Sequence, residues 1–379
     1  MGGLSSAPPL ATHSVGTLMK SHSSPFPEDV LSPSVDTTFT KPTEPEQEWE
    51  WKLSHHELST VPLYHPMERT AVTISDIAVE EIARRISTFL KRNSISAQYE
   101  ANRVSCMTDA LLKFVIHLWQ SPDGVIIEVQ RRQGCCIAMQ AIRHHLVEAI
   151  QTGTDRDLTP PQVPSRSTCS VVQTLLDQMP CCPPPPQDLP CCGSALELAK
   201  HLLQSDRFDA QRLGLESLCS LTNPTQVFLR DADHVSRTIL LEPEWQRLMS
   251  RYFESRRTEE DDIANSLHFL ALKTVTQAIE AVTADGVKLS PTTTTTFWAI
   301  LVEDLFQNLI KASTCPLEAS LSTRCFRYLQ VLHPELLRAI YNNANLYDYL
   351  VQAHDFGKHH HRSLEMETEQ WMGRLGFAY

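Results

Sequence analysis

The sequence lacks a long apolar segment and has few basic residues for its length. No stretch approaches the roughly 20 apolar residues that span a bilayer, and the amino terminus has no apolar signal region. The 33 Lys and Arg residues are outnumbered by 45 Asp and Glu residues, which gives a net charge of −12. Nucleic-acid binding needs clustered positive charge. We therefore expect a cytoplasmic protein without a nucleic-acid partner.

The sequence also lacks the short motifs of familiar catalytic and metal sites. It contains no Gly-rich phosphate loop, no nucleophile elbow, no His-Glu-x-x-His and no Cys-x-x-Cys. Asp355-Phe356-Gly357 matches the magnesium-binding tripeptide of kinases, but none of the other kinase motifs precedes it. We therefore expect a non-enzymatic protein without a cofactor or a metal ion. An unrecognised enzyme is the least favoured of three functional hypotheses.

Eleven cysteines occur in a chain that is long enough to build its own apolar core. Because the cytosol keeps thiols reduced, we expect free thiols rather than disulfides. Two adjacent pairs, Cys181-Cys182 and Cys191-Cys192, bracket four prolines and could together hold a zinc ion. Adjacent thiols chelate poorly, however, and a stiff polyproline spacer holds the pairs apart. Free thiols in a disordered linker are the favoured interpretation.

Two further clusters contain potential ligands or nucleophiles. His354 and the run 359–361 are interpreted as a solvated histidine run rather than a metal site. Cys135 and Cys136 lead into a helix whose amino-terminal dipole can lower the pKa of a thiol. Burial of these two cysteines against the sheet is the favoured alternative.

Proline marks the boundaries of the chain. Nine of the 24 prolines precede residue 70 and nine more lie within 160–190. Such segments bury too little apolar surface to offset the entropy of ordering. The sequence predicts four regions: a disordered Ser/Thr/Pro-rich tail (1–68), an α+β module (69–153), a Pro/Cys-rich linker (154–192) and an α-helical domain (193–379).

An acidic and aromatic segment lies near the end of the predicted tail. Trp49 and Trp51 are flanked by Glu46, Glu48 and Glu50. Aromatic anchors of this kind dock onto a protein surface. We expect the segment to dock onto the chain's own domain, and docking onto a partner is the alternative.

The α+β module is predicted from alternating and helical patterns. Ser75 or Asp76 can cap the first helix. Ile82, Ile86 and Phe89 recur in it at helical spacing. The second helix has its apolar face at residues 137, 141, 142, 146 and 150. The predicted strands are 71–74, 96–102, 109–120 and 125–131.

The last two predicted strands are joined by Ser121-Pro122-Asp123-Gly124, a hairpin turn in which Gly124 supplies a positive φ. Apolar residues alternate on both strands, so one set must face the helices. Both helices then pack on one side of an antiparallel sheet. The expected apolar set is Phe114, Ile116, Leu118, Ile127 and Val129.

The predicted order is strand, helix, three strands, helix. With this order, the alternation at 114–118, the Asp123-Gly124 turn and the break at Gly134, the module resembles the kinase-associated domain at the carboxyl terminus of certain Ser/Thr kinases. The resemblance implies a non-catalytic domain that binds acidic phospholipid head groups or contacts a kinase domain. Residues 69–153 contain ten Lys and Arg against eight Asp and Glu, a difference of only +2. A membrane partner is therefore possible but not favoured.

The remainder of the chain has helical patterns, and similar blocks that recur about every 55 residues suggest stacked helical units. The segments 212–221 and 324–332 are similar to the inner helices of armadillo-type repeats. The resemblance implies an α-solenoid with a groove for a peptide or protein. An irregular helical bundle is the alternative. If the groove exists, the polar residues of its inner helices should bind the partner, and they are Arg212, Glu216, Arg324 and Arg327.

The chain starts with Met1-Gly2-Gly3-Leu4-Ser5-Ser6, which fits the pattern for N-myristoylation of Gly2. One acyl chain gives only marginal membrane affinity. The leading expectation is thus an interaction or scaffold protein that binds a protein or peptide through its helical domain. The second of the three functional hypotheses is a peripheral membrane adaptor that uses the α+β module and Gly2.

Overall fold

The computed structural model describes the chain in the ranges 51–153, 191–223, 225, 229–254, 262–284, 296–341 and 346–375. These residues belong to one compact unit, Glu48–Tyr379. Within it, residues 51–153 form an α+β module and residues 191–375 form a helical part. The predicted fold class, a mixed α+β module followed by an all-helical region, is therefore confirmed.

The module contains one antiparallel sheet with the strand order β1-β5-β4-β3-β2. Helix α1 (Val79–Arg92) follows β1 in sequence, and helix α2 (Cys136–Thr152) follows β5. The strands are β1 (Val72–Ile74), β2 (Ser96–Glu100), β3 (Arg103–Met107), β4 (Lys113–Ser121) and β5 (Gly124–Gln133).

The prediction of three strands between the helices is wrong, because the structure has four. Strand β3 pairs with β2 across a two-residue turn, Ala101-Asn102. A hairpin of this kind is usually signalled by glycine, which the turn does not contain. Only Val104 and Cys106 of β3 point into the core, so the strand also lacks a strong alternating pattern.

The two faces of the sheet have different neighbours. On the core face, the five predicted residues at 114, 116, 118, 127 and 129 are at most 5 % exposed and share one apolar cluster with α1 and α2. This choice of face is confirmed. The opposite face, here called the open face, carries Ser105, Val115, His117, Trp119 and Glu128.

The hairpin between β4 and β5 requires glycine at position 124. Gly124 has a φ of 136°, and a Cβ added there would collide with the carbonyl oxygen of Ile74 on the neighbouring strand β1. The predicted role of Gly124 in this turn is therefore confirmed, and the close approach of β1 is a second reason for it.

Residues 51–68, here called the strap, run along the module. Trp51 is 5 % exposed, and its indole N–H donates to the carbonyl of Ala101 at 3.2 Å. A 3-10 helix, His55–Glu57, follows, and the Gln120 amide of β4 donates to the Ser59 carbonyl at 2.9 Å. The prediction of a disordered tail is therefore wrong for residues 51–68. The prediction that this aromatic segment docks onto the chain itself is confirmed for Trp51, whereas Trp49 lies outside the described residues.

The helical part begins at Cys191, two residues before its predicted start. Ten helices are described in it, and they extend to residue 375. They are α3 (Cys191–Leu203), α4 (Phe208–Leu221), α5 (Leu229–Leu241), α6 (Pro243–Glu254), α7 (Asp262–Ala284), α8 (Thr296–Ile310), α9 (Pro316–Leu332), α10 (Pro334–Tyr341), α11 (Leu346–His360) and α12 (Arg362–Leu375).

Helix α7 lies at the centre of the helical part. It is apolar on most sides and packs against α4, α5 and α9, while α9 also packs against α8 and α12. A helix that is apolar all round is expected to be buried on all sides. No helix in the described part of the chain is both long and apolar enough to cross a membrane.

The helical part also packs against the module. Leu111, in the loop between β3 and β4, has a φ of 55° and inserts its side chain into the apolar core of the helices. A left-handed backbone at a residue other than glycine costs about 1 kcal/mol, which the burial of a leucine, at about 1.5–3 kcal/mol, offsets. The Ser363 amide of α12 donates to Ser94 Oγ of the module at 2.8 Å.

Candidate functional site

A cleft of about 520 Å³ lies between the open face of the sheet and helices α7, α8 and α9. Ser105 and Val115 line it from the sheet, and Phe269 and Gln307 line it from the helices. Its volume lies within the range of about 300–1,000 Å³ that is typical of ligand sites. Because neither part closes it alone, the cleft exists only where the module and the helices pack together.

Three cations line the cleft. Lys113 of β4 forms an ion pair with Asp262 at the start of α7, with a distance of 3.2 Å from Nζ to Oδ1. Arg132 lies near the end of β5, and Lys311 follows α8. In the ranges that the structure describes, neither Arg132 nor Lys311 forms an ion pair or a side-chain hydrogen bond. The cleft is therefore locally basic in a protein with a net charge of −12.

A buried polar network adjoins the cleft on its helical side. Asn308, which lines the cleft, donates to Asp304 Oδ2 at 3.0 Å and to Ser322 Oγ at 3.1 Å. His268 bonds the same Asp304 oxygen at 2.8 Å. All four side chains are nearly inaccessible. Since satisfied buried networks fix side-chain positions, this network holds the Asn308 wall of the cleft in place.

The predicted binding residues Arg212 and Glu216 contact each other. Both lie on α4, and Arg212 Nε donates to Glu216 Oε1 at 2.8 Å. The Arg212 guanidinium also faces the side-chain amide of Gln133 at the end of β5. The amide oxygen of Gln133 points towards the guanidinium and accepts hydrogen bonds from it. Arg212 thus faces the module. That this pair binds a partner stays a prediction.

Arg324 and Arg327, the other predicted binding residues, belong to a network within the helical part. Arg324 donates to Glu280 of α7 at 2.5 Å, and Arg327 donates to Glu367 of α12 at 2.8 Å. Tyr328 donates to the other Glu280 oxygen at 2.8 Å. These contacts join α7, α9 and α12. The two arginines therefore do not lie in the cleft, and their binding of a partner stays a prediction.

Burial changes the protonation equilibria of this network. Burial raises the pKa of the Glu367 carboxyl, and the charges of Arg327 and Arg324 oppose this only in part. Burial lowers the pKa of Arg324, but the hydrogen bond to Glu280 and the charges of Glu280 and Glu367 together more than offset it, so that pKa is raised. Arg327 is 9 % exposed. Because Arg327 is largely buried and paired with Glu367, its replacement should lower the stability of the fold.

A buried carboxylate on the open face was not predicted from the sequence. Glu128 of β5 is fully buried. It accepts from Trp119 Nε1 at 3.0 Å and from the backbone amide of Glu68 at 2.8 Å, and it lies 2.9 Å from His65 Nε2. His117 stacks on Trp119 with ring centroids 5.3 Å apart. The strap therefore covers this half of the open face.

The partners of Glu128 favour its charged form. Burial alone raises the pKa of the Glu128 carboxyl, but hydrogen bonds from Gln130, the Glu68 amide, His65 and Trp119 together lower it to about 2. Alternation along β5 places position 128 on the open face, which usually faces solvent in a single sheet. The only sequence signal was therefore indirect, namely a strap with anchoring aromatic residues.

The thiols and histidines that the sequence analysis named as potential nucleophiles or ligands lie in different environments. Cys135 and Cys136 are exposed at the start of α2, so the favoured burial is wrong. The backbone amides of Ala138 and Ile137 lower the pKa of the Cys135 thiol, as the alternative interpretation predicted. His361 is 1 % exposed, so the interpretation of a solvated run is wrong for this residue.

Other sequence-based sites lie partly outside the described residues. Gly2, Cys181 and Cys182 belong to this group. Cys191 and Cys192 begin α3 rather than ending a linker. Within the ranges that the structure describes, no group of three or more His, Cys, Asp or Glu side chains could hold a metal ion.

Comparison of the chain with protein-family models, with curated proteins and with solved structures gave no match. The resemblances to the kinase-associated domain and to armadillo-type repeats therefore stay predictions.

Proposed function

We propose that this protein is a non-enzymatic interaction protein that binds an extended segment of a protein partner in the cleft between the sheet and α7, α8 and α9. The functional class is the one that the sequence predicts. The proposed site differs from the predicted one, because it lies between the two parts of the unit rather than on the helices alone.

The observation that carries the proposal is the position of β2 beside the cleft. Strand β2 is the last strand of the sheet, and no strand in the described part of the chain pairs with its outer edge. Ser96 and Gln98 of this strand line the cleft. An extended peptide can add to such an edge through its backbone and direct alternate side chains sideways. At β2 those side chains would enter the cleft.

The lining of the cleft suits such a segment. Met107 and Val115 supply apolar surface, and Gln98 and Gln307 are exposed amides that can donate or accept. Binding sites commonly combine mostly apolar walls with a few placed polar groups. The cleft therefore offers both an anchoring surface for apolar side chains and hydrogen bonds for a peptide.

The test is a selection of random dodecapeptides displayed on phage against the purified full-length protein. Ser105→Phe fills the cleft with a ring, and Thr73→Phe places the same ring on the open face at β1, outside the cleft. Thermal melting first establishes that both variants fold. We expect the wild type and Thr73→Phe to enrich the same peptides, and Ser105→Phe to lose them.

The proposal is overturned if no peptide is enriched by the wild type, or if Ser105→Phe retains the same peptides as the wild type. Hydrogen exchange supplies a second readout. A selected peptide should slow exchange of β2 amides if it adds to the edge strand, and unchanged exchange along 96–100 would contradict strand addition.

A further inference from the structure

Two cations of the cleft have no partner in the described part of the chain. Arg132 approaches from the sheet and Lys311 from the segment that follows α8, so they come from different parts of the unit and line one cavity. Both are exposed. Elsewhere in the unit, basic side chains such as Lys200, Arg237 and Arg324 have carboxylate partners within 2.5–2.7 Å. The cleft therefore has positive charge that the chain does not neutralise there.

The negative charges of the cleft do not cancel these two cations. Asp262 is already paired with Lys113. Glu318 is 6 % exposed and has its own interaction within the chain. The overall charge of −12 repels polyanions at long range, so attraction of an acidic ligand has to be local to the cleft.

We infer that the partner segment is acidic and that Arg132 and Lys311 bind its carboxylates. This inference rests on the proposed function, because it names the chemistry of the segment that enters the cleft. Arg132 presents a planar guanidinium that can bond a carboxylate through two N–H groups. Lys311 supplies a compact charge on the opposite wall. A segment with Asp or Glu at alternate positions can add to β2 and direct its carboxylates to the same side.

The composition of the selected peptides tests this inference separately from the proposed function. From the same dodecapeptide library, we expect those that depend on the cleft to contain about two- to threefold more Asp and Glu than the unselected library, in keeping with charge complementarity at interfaces. Peptides that depend on the cleft but are not enriched in acids would overturn the inference and leave the proposed function intact. The absence of any cleft-dependent peptide would overturn both.

Charge reversal tests the two residues directly. The double variant Arg132→Glu/Lys311→Glu should weaken binding of the most enriched peptide about tenfold at low salt. The matched control is Arg69→Glu/Lys358→Glu, which makes the same change in net charge at exposed residues outside the cleft and should bind like the wild type. Equal weakening in both variants would show only an effect of net charge and would overturn the inference. Substitution of the peptide's Asp and Glu by Asn and Gln should weaken wild-type binding to the same extent.

The native thiol Cys315 reports where the peptide binds, because it lines the cleft and is partly exposed. A bound acidic peptide should slow alkylation of Cys315, measured by mass spectrometry, while alkylation of Cys135 proceeds unchanged. Evidence for either of two other occupants would overturn the inference of an acidic segment. Displacement of the peptide by millimolar inorganic phosphate would indicate a site for small anions, and a concentration-dependent dimer that the double reversal abolishes would indicate a second copy of this chain.

Discussion

The two faces of the sheet have the same backbone geometry but are covered in different ways. The core face is apolar and is covered by α1 and α2, the helices that adjoin the strands in sequence. The open face carries polar and charged residues, and it is covered by the strap and by helices more than 100 residues away. Local pattern therefore determines the first face, whereas the second depends on contacts between distant segments.

The largest expected effect lies on the core face. Phe114 is 1 % exposed, so Phe114→Ala removes a ring from a packed core. We expect the free energy of unfolding to fall by about 3–5 kcal/mol, as measured by urea denaturation. Val115→Ala, at the next position on the open face, removes fewer atoms and is the control. An equal loss in both variants would remove the distinction between the faces.

The sequence was sufficient for the core face and insufficient for the open face. Alternation at 114–118 and 127–129 predicted the buried residues because strand periodicity and local helices decide them. Strand β3 was missed because its turn contains no glycine. Docking of Trp51 was predicted, but Glu128 and the rest of the strap were missed because a charged residue and a Pro-rich segment are normally solvated. The cleft could not be predicted because its walls come from segments that only tertiary packing brings together.

The second prediction concerns the contact that holds the helical part against the module. Burial lowers the pKa of the His361 imidazole to about 4, although the Ser94 backbone and the charge of Asp109 oppose this shift. In the unfolded chain His361 takes up a proton near pH 6.5, whereas in the folded chain it stays neutral until about pH 4. The free energy of unfolding should therefore fall by about 3 kcal/mol as the pH decreases from 6.5 to 4.

His361→Gln isolates this contribution, because glutamine takes up no proton. Chemical denaturation at a series of pH values should give a curve for the variant that is flatter than the wild-type curve between pH 6.5 and 4. Parallel curves over this range would show that His361 is accessible to protons in the folded protein.

The third prediction concerns the buried carboxylate of the open face. Glu128→Gln keeps the shape of the side chain but removes the charge, so we expect a loss of about 1–3 kcal/mol at neutral pH. Because the Glu128 pKa is lowered to about 2, its stabilisation is complete above about pH 4.5 and is lost as the pH falls towards 2. Hydrogen exchange of the Gln120 amide, which donates to Ser59 of the strap, should accelerate in the variant.

Glu100→Gln is the matched control for this change. Glu100 lies on the same face, but its side chain is half exposed and pairs with Arg103. A surface pair contributes about 0–1 kcal/mol, so the control should leave exchange of the strap unchanged. Equal effects of the two substitutions would show that burial of Glu128 does not hold the strap.

The smallest effect on stability is expected from changes to two thiols, Cys106 on the core face and Cys135 at the start of α2. Burial raises the pKa of the Cys106 thiol on the core face, whereas the Ala138 and Ile137 amides lower that of Cys135 at the start of α2. Iodoacetamide at pH 7 should therefore alkylate Cys135 while Cys106 stays unmodified, as followed by mass spectrometry. Cys135→Ser should leave the melting temperature almost unchanged because the side chain is exposed.

Ala138→Pro removes one amide donor within the first helical turn, where proline is tolerated. It should move the pH midpoint of Cys135 alkylation towards the ordinary value near 8.5, and an unchanged midpoint would show that the amide does not stabilise the thiolate.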